Sequence, residues 1–148
     1  MLKPTNTNYL FKFSIVTAVY NVAPYLSEAI DSILSQDIGF LESVELILVD
    51  DGSTDASGAI CDEYQHKYPE NIVVIHKPNG GVASARNAGI AVARGRYVNF
   101  MDSDDKLTPD TLSSVYDFFI EHDKEVDLVS VPIFYFEQKN EPHRLNYK

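Results

Sequence analysis

Two acidic clusters carry the residue types in this chain that are best suited to chemistry. Asp50 and Asp51 are adjacent, and Asp102-x-Asp104 places two carboxylates two residues apart. In an extended segment residues i and i+2 point to the same side, so we expect Asp102 and Asp104 to face one cation while Ser103 faces away. A hard divalent cation such as Mg²⁺ or Mn²⁺ accepts one or two carboxylates together with phosphate oxygens of a substrate. The alternative for this segment is a turn whose aspartates cap the following helix.

The adjacent pair follows the same geometry with the opposite result. Neighbouring residues of a strand point to opposite faces, so we expect only one of the two carboxylates to enter a cleft, with Asp51 favoured over Asp50. A carboxylate there can accept a hydrogen bond from the imide N–H of a nucleobase. The other carboxylate would hold the turn that begins at Gly52. The alternative is that both serve the turn and the next helix.

A glycine pair precedes an alanine-rich segment. Gly80 and Gly81 permit close approach of the backbone to a ligand, and the helix N-terminus that follows them favours an anion. Arg86, about one turn into this helix, can present its planar guanidinium to a diphosphate, although a solvated arginine is the more common situation. Gly89, in the same helix, is better explained by close packing on a sheet.

These residues must be positioned by an alternation of strands and helices. Strands are predicted at Phe13 to Val19, Val44 to Val49, Asn71 to Ile75, Arg96 to Met101, and Asp127 to Phe136, where Pro132 indicates an edge or a bend. Helices are predicted after Asn21, from caps at Ser53, Thr54 or Asp55 to about His66, from Val82 to Arg94, and from a Thr108 cap and Pro109 to about His122.

This alternation predicts a Rossmann-like α/β domain with three αβα layers and a mostly parallel sheet. Ligands of such sheets bind beyond the carboxyl ends of the strands, and both acidic clusters fall there. The chain contains no G-x-G-x-x-G after the first strand and no P-loop motif, so diphosphate binding would need a metal held by carboxylates.

Composition narrows the class of protein further. The 148 residues suit one domain, and the net charge of -10 argues against nucleic acid as a partner. A single cysteine, Cys61, excludes an intrachain disulfide and fits a cytoplasmic setting. The N-terminus lacks the apolar core of a signal peptide, and no apolar stretch is long enough to cross a bilayer. We expect residues 1–10 and 138–148 to be loosely ordered tails.

Four stretches in order resemble the family 2 glycosyltransferases of the A-type fold. They are Ser14 to Asn21 (SIVTAVYN), Val49 to Asp55 (VDDGSTD), Asn79 to Gly89 (NGGVASARNAG) and Phe100 to Asp105 (FMDSDD). Each falls at a predicted strand end, and together they span most of the chain. One departure is Ala18, where the family commonly has proline; we expect it to affect the exit of the first strand and not the chemistry.

The resemblance implies a metal-dependent inverting enzyme that transfers a sugar from a nucleoside diphosphate donor, most often a UDP-sugar, to an acceptor hydroxyl. The acceptor would be a glycan or a lipid-linked molecule, and the enzyme would act in the cytoplasm, including at the inner face of the membrane. The resemblance implies direct metal contact by Asp104, with Asp102 as the second metal residue and Mn²⁺ or Mg²⁺ as the metal. The implied nucleotide-binding residues are Tyr20, Asp50, Asp51, Arg86, Asn87, Asp102 and Ser103.

The same resemblance implies a catalytic base well downstream of the metal motif. No residue between Asp105 and Lys148 matches it, so residues 1–148 read as the donor-binding part of a glycosyltransferase, and the base is expected beyond Lys148. A donor-binding module that is inactive on its own is therefore the main alternative. An aspartate-nucleophile phosphatase would need D-x-D after the first strand, and a Mg²⁺-binding receiver domain gives the Gly80-to-Asn87 segment no role.

Overall fold

A four-stranded parallel sheet organises the part of the chain that the computed structural model describes, residues 8–131. The strands are β1 (Phe11–Val19), β2 (Val44–Asp50), β3 (Ile72–His76) and β4 (Gly95–Phe100). The helices are α1 (Ala23–Leu34), α2 (Phe40–Ser43), α3 (Ser57–Lys67), α4 (Val82–Val92) and α5 (Thr111–Glu121). The strand order is β3-β2-β1-β4, and every pairing is parallel, which confirms the predicted α/β architecture.

The central strands are apolar because helices cover both of their faces. All seven residues of β2 are buried, and β1 is buried from Phe13 to Thr17. Near-continuous runs of branched residues are typical of such doubly covered parallel strands. The register pairs Val16 with Ile47, and both side chains are buried in the same cluster as Ala85 of α4.

The two faces of the sheet are packed differently. Helices α1, α3 and α5 cover one face, where Leu26, Ile30 and Ile33 of α1 recur at helical spacing and are fully buried. Helix α4 packs on the other face through Ala85 and Gly89. A Cβ atom on Gly89 would lie 2.4 Å from Cγ1 of Val16, so only glycine allows this close approach. The predicted packing role of Gly89 is confirmed.

The strand order creates a crevice at the carboxyl edge of the sheet. From β1 the chain continues to β2 and β3 on one side, whereas β4 pairs with the other side of β1. After β3 the chain returns through α4, on the other face of the sheet, to place β4 beside β1, and open sheets bind ligands at such a reversal of strand order.

Two helices begin later than the sequence predicts. Helix α3 starts at Ser57, and the oxygen that meets its first turn is Asp55 Oδ1, which accepts the Ser57 N–H at 2.9 Å. Helix α5 starts at Thr111 and not at Pro109, so the Thr108 cap was wrong. The carbonyl of Thr108 accepts a hydrogen bond from the Gln36 side chain, a contact with the end of α1 that a local pattern does not reveal.

Other boundaries also differ from the sequence prediction. Helix α4 ends at Val92 because the Arg94 N–H donates to the buried carboxylate of Glu45 at 2.8 Å instead of continuing the helix. The short helix α2 was not predicted. Residues 127–131 form no strand, and the rest of the predicted fifth strand, 132–136, lies outside the described residues. The predicted tails also lie mostly outside them.

Candidate functional site

A cavity of about 260 Å³ opens at the carboxyl edge of the sheet. Its wall is built from the ends of β1 and β2, the loop after β3 and the loop after β4. The lining residues are Ala18, Val19, Tyr20, Asp51, Asn79, Gly81, Val82 and Ser103. Four loops that are far apart in sequence therefore meet at one place, as parallel strand topology requires.

Asp51 is the buried anion of this cavity. Its carboxylate accepts hydrogen bonds from Lys77 Nζ at 2.5 Å, from the Gly80 N–H at 3.0 Å and from the Gly81 N–H at 2.7 Å. The lysine contact and the two backbone N–H groups outweigh burial and lower the pKa of Asp51, so this carboxylate is ionised at neutral pH. The sequence predicts an anion at the N-terminus of α4, and the anion found there is Asp51 of the chain itself.

Asp50 points to the opposite face of the sheet, as the strand geometry predicts. Its Oδ1 accepts the Ser53 N–H at 2.9 Å, and its Oδ2 lies 2.8 Å from Nδ1 of His76. Burial alone would raise the pKa of Asp50, but hydrogen bonds from Ser53 and His76 lower it below its ordinary value. Asp50 thus holds the turn after β2, and it does not line the cavity.

A tight connection after β1 sets the position of Tyr20. Asn21 has a positive φ of 49°, a left-handed conformation that asparagine tolerates better than most residues. Its N–H donates to Ser53 Oγ at 3.1 Å, and its Oδ1 accepts the Thr54 N–H at 2.8 Å. The exit of β1 is therefore tied to the turn after β2, and Tyr20 is left half-exposed in the cavity wall.

The segment after β4 is a turn and not an extended strand end. The Asp105 N–H donates to the Asp102 carbonyl at 3.1 Å, so the extended geometry predicted for Asp102-x-Asp104 was wrong. Asp102 receives a hydrogen bond from Arg86 at 2.9 Å, and the Arg86 guanidinium lies 5.5 Å from the centre of the Phe100 ring. Both partners are partly exposed. We call residues 102–105 the acidic turn.

The acidic turn offers hard oxygen donors close to the cavity. Partial desolvation and the charges of Asp102 and Asp104 raise the pKa of Asp105. Among residues 8–131 no group of three or more His, Cys, Asp or Glu side chains is arranged to hold a metal by itself. Two carboxylates with missing ligands supplied by phosphate oxygens are nevertheless what Mg²⁺ or Mn²⁺ accepts. The exposed carboxylates of the turn are thus of the ligand type that such a metal accepts.

The residues predicted for the site fall into three groups. Tyr20, Asp51 and Ser103 line the cavity. Arg86 and Asp102 pair with each other beside it. The remaining three residues are not among the lining side chains: Asp50 faces α3, Asn87 is exposed on α4, and Asp104 is exposed in the acidic turn.

Several residues of the site were missed from the sequence. Asn79 and Val82 line the cavity, and so does Ala18, so that position contributes to the cavity wall and not only to the strand exit. Lys77 and His76 pair with the two aspartates at the end of β2. Their position at the end of a predicted strand was visible, but a pairing across 26 residues of sequence left no local signal.

Comparison with protein families identifies the group to which this site belongs. The family model described as "Glycosyl transferase family 2" matches residues 14–148. The chain belongs to this family. The match includes all four stretches that carry the resemblance, and the sheet with its carboxyl-edge cavity is the A-type glycosyltransferase fold.

Similar proteins include a teichoic acid biosynthesis protein and a protein whose structure was solved with UDP. The chain is 50% identical to the minor teichoic acid biosynthesis protein GgaB of Bacillus subtilis over 141 aligned residues. The aligned region covers 95% of this chain and 16% of that protein. The crystal structure of S. aureus TarS 1-349 in complex with UDP is 32% identical, with a TM-score of 0.70, over 86% of this chain and 40% of that one.

A second similar structure contains a metal ion. The mannosyltransferase PcManGT from Pyrobaculum calidifontis, in complex with GDP-Man and Mn²⁺, is 25% identical, with a TM-score of 0.67, over 76% of this chain and 33% of that chain. In each of these three comparisons the chain spans less than half the length of the similar protein. Within residues 8–131 no helix is both long and apolar enough to span a membrane.

Proposed function

We propose that this chain binds the donor of a metal-dependent, inverting glycosyltransferase, and that the donor is a UDP-sugar. The observation that carries this proposal is the cavity at the carboxyl edge of the sheet, with Tyr20 and Asp51 in its wall and Ser103 of the acidic turn bordering it. An aromatic ring, a buried carboxylate and a cluster of hard oxygen donors match, in that order, a nucleobase, its imide N–H and a metal-bound diphosphate.

The base would lie against Tyr20. The ring is half-exposed and is held by the tight connection at Asn21, so it offers a preformed stacking surface. Asp51 already accepts three donors, and a carboxylate has about four acceptor sites, so room remains for one imide N–H. The side chain of Asn79, which lines the cavity, offers an amide donor and acceptor beside it.

The diphosphate would lie between Arg86 and the acidic turn. Arg86 is now paired with Asp102, and its planar guanidinium can turn to bind phosphate oxygens when Asp102 has another cationic partner. When bound by Asp102 and Asp104, a divalent metal would neutralise negative charge on the departing diphosphate. In the family resemblance Asn87 follows this arginine, and we propose that it supports the same contact from the exposed face of α4.

Transfer would proceed by displacement at the anomeric carbon. The acceptor oxygen forms the new bond as the bond to the diphosphate breaks, its proton passes to a carboxylate base, and the configuration inverts. We assign no described residue as that base. TarS has been crystallised with UDP and with UDP-GlcNAc, which supports UDP as the nucleotide.

The relatives also support a proposal for the acceptor and the cellular location. Similarity to GgaB supports an acceptor in teichoic acid synthesis, either the polymer or a lipid-linked precursor. We propose that the reaction takes place in the cytoplasm, at the inner face of the membrane if the acceptor is lipid-linked. Cys61 is buried and free, which is compatible with that reducing setting.

Calorimetric titration of the chain with UDP tests the proposal. We expect UDP to bind in the presence of Mg²⁺ or Mn²⁺ and to bind much more weakly with a chelator, because the acidic turn otherwise repels the diphosphate. GDP serves as the comparison nucleotide, and inorganic diphosphate reports binding that does not involve the base. Equal UDP affinity with and without metal would contradict metal dependence, and no binding of either nucleotide would contradict donor binding altogether.

A further inference from the structure

His76, the last residue of β3, bridges two carboxylates on the face of the sheet that α3 covers. Its Nδ1 lies 2.8 Å from Asp50 Oδ2, and its Nε2 lies 2.8 Å from Asp62 Oδ1 on α3. The backbone of α3 approaches closely here: a Cβ atom on Gly58 would lie 2.8 Å from Asp50 Oδ2 and 3.5 Å from Cε1 of His76. The imidazole therefore joins β2, β3 and α3 at one point.

The geometry favours the protonated imidazole of His76, in which both ring nitrogens carry hydrogen. Each nitrogen faces a carboxylate oxygen, which only accepts hydrogen bonds, and a neutral imidazole has a single N–H. A neutral ring would leave the lone pair of one nitrogen 2.8 Å from an anionic oxygen, a repulsive contact. The hydrogen bonds to Asp50 and Asp62 accordingly raise the pKa of His76 above its ordinary value.

The other ionisable groups around the ring do not replace this charge. Lys77, which follows His76, turns to the opposite face and pairs with Asp51. The thiol of Cys61 on α3 is neutral, since burial and the charges of Asp50 and Asp62 raise its pKa to about 12. Asp50 on β2 and Asp62 on α3 are thus the anions that face the ring, and His76 is the cation between them.

Hydrogen bonds connect this bridge to the wall of the cavity. Asp50, held by His76, accepts the Ser53 N–H, and Ser53 Oγ accepts the Asn21 N–H. Asn21 directly follows Tyr20, whose half-exposed ring lines the cavity. Displacing Asp50 would release the turn after β2 and, through Ser53, the backbone that orients Tyr20.

We propose that His76 is a positioning residue for the donor cavity: its imidazolium holds Asp50 against Asp62 and so keeps the turn after β2 and Tyr20 in the donor-binding arrangement. This inference rests on the proposed function, since it concerns affinity for the same nucleotide. It adds a proton-dependent element to the site, and donor affinity decreases as His76 loses its proton.

The test measures UDP affinity of the full chain at fixed Mg²⁺ from about pH 5.5 to about pH 9, a range that spans the ordinary histidine pKa. The variants are His76→Gln, Asp62→Asn and, as a matched control, His66→Gln at an exposed histidine of α3. At each pH the affinity of a variant is divided by that of the wild type, which cancels the titration of UDP and of the metal complex. An unfolding curve at each pH shows that every variant is folded.

We expect His76→Gln to bind UDP about 3- to 5-fold more weakly at the acidic end, the effect of a partly exposed ion pair, and to equal the wild type at the alkaline end. Asp62→Asn keeps the contact with Asp50 but removes one anion, so the loss of affinity should occur at lower pH than in the wild type. His66→Gln should match the wild type throughout.

The outcomes separate this inference from the proposed function. A His76→Gln ratio that does not change with pH, including a ratio of one, overturns the positioning role and leaves donor binding intact. If His76→Gln does not fold, Asp62→Asn decides, and an unshifted pH profile in that variant overturns the inference. If the wild type binds no UDP at any pH, the proposed function fails, and the inference fails with it.

Discussion

The two acidic clusters at the carboxyl edge of the sheet differ in what balances their charge. At the end of β2, Asp50 and Asp51 each pair with a cationic side chain of the chain itself, and the pKa of both carboxyls is lowered. In the acidic turn after β4 the carboxylates are exposed, and Asp102 pairs with the partly exposed Arg86. Partial desolvation and the charges of Asp102 and Asp104 raise the pKa of Asp105. The cluster at the β2 end is buried and paired, whereas the acidic turn presents exposed carboxylates.

This difference separates scaffold from binding chemistry. Asp51 is 4% exposed and holds the loop before α4, so most of its acceptor capacity is used before any nucleotide arrives. The acidic turn keeps carboxylates crowded in solvent, an arrangement that a divalent cation would relieve. The structure thus supports a division in which the β2 end shapes the cavity and the β4 end presents exposed carboxylates beside it.

The largest effect that we expect concerns the free energy of unfolding and the buried pair of Lys77 with Asp51. Replacing it by methionine keeps the aliphatic stem but leaves Asp51 buried without its ammonium partner. Breaking a buried pair costs about 3–5 kcal/mol, and because Lys77 is 20% exposed we expect Lys77→Met to lower the free energy of unfolding by roughly 2–4 kcal/mol. Urea denaturation at neutral pH measures this loss.

Lys67→Met provides the matched control. Lys67 pairs with Glu63 four residues earlier on α3, and both side chains are more than half-exposed, at 54% and 64%. Such surface pairs contribute about 0.3–0.5 kcal/mol, so the control should stay close to the wild type. Equal losses in the two variants would show that the β2 end is not a structural ion pair, and the contrast between the clusters would disappear.

The next effect is on binding, at Asp104. We expect Asp104→Ala to weaken UDP binding in Mn²⁺ by at least about tenfold and to leave stability unchanged. Losing a residue that only supports a metal ligand already costs about tenfold or more, and a direct ligand should cost no less. Calorimetry with Mn²⁺ and then with a chelator separates the metal-dependent part. Asp117→Ala, at an exposed aspartate of α5, is the control for lost negative charge. Unfolding of Asp104→Ala with normal binding by the folded fraction would make Asp104 a structural residue.

Much of this arrangement was predictable because local patterns encode it. Branched apolar runs indicated β1 and β2, and the spacing of apolar residues indicated α1. The parallel topology then followed from the alternation of strands and helices, and it placed the ends of β2 and β4 at one edge. The opposite faces of Asp50 and Asp51 followed from the two-residue period of a strand.

What could not be predicted depends on contacts between distant residues. Glu45 reads as a polar residue in an apolar strand, yet it is fully buried because Ser14 and Arg94 donate hydrogen bonds to it. The same network ends α4 early. The acidic turn was expected to be extended because nothing in its sequence reveals the hydrogen bond from Asp105 to the Asp102 carbonyl. Pairing by Lys77 and His76 was invisible for the same reason.

The pH dependence of the free energy of unfolding at acid pH reports on the ionised state of Asp51. Because the pKa of Asp51 is lowered in the folded state, its contribution is complete above the ordinary carboxyl pKa of 3.8 and is lost as pH falls through the folded-state pKa. In urea denaturation at a series of acid pH values, we expect the free energy of unfolding to decrease less steeply with falling pH in Asp51→Asn than in the wild type. Asp117→Asn should follow the wild type. A smaller change than for Lys77→Met is expected at neutral pH, since the amide leaves no buried charge. An unchanged dependence of the free energy of unfolding on acid pH in Asp51→Asn would contradict this account.

The smallest expected effect has the opposite sign and concerns Asp105. Its pKa is raised in the folded state, so ionisation of this carboxyl opposes folding at neutral pH, in contrast to ionisation of Asp51. Replacing it by asparagine removes one of the crowded charges, and like charges on exposed neighbouring residues cost roughly 0.2–0.5 kcal/mol. We therefore expect Asp105→Asn to raise the free energy of unfolding by a few tenths of a kcal/mol in the presence of a chelator, with Asp117→Asn unchanged. Denaturation curves at low and high salt provide the check, because screening should remove the gain. A loss of stability at low salt would mean that Asp105 supports the turn, and that the β4 end, like the β2 end, is held together by its own carboxylates.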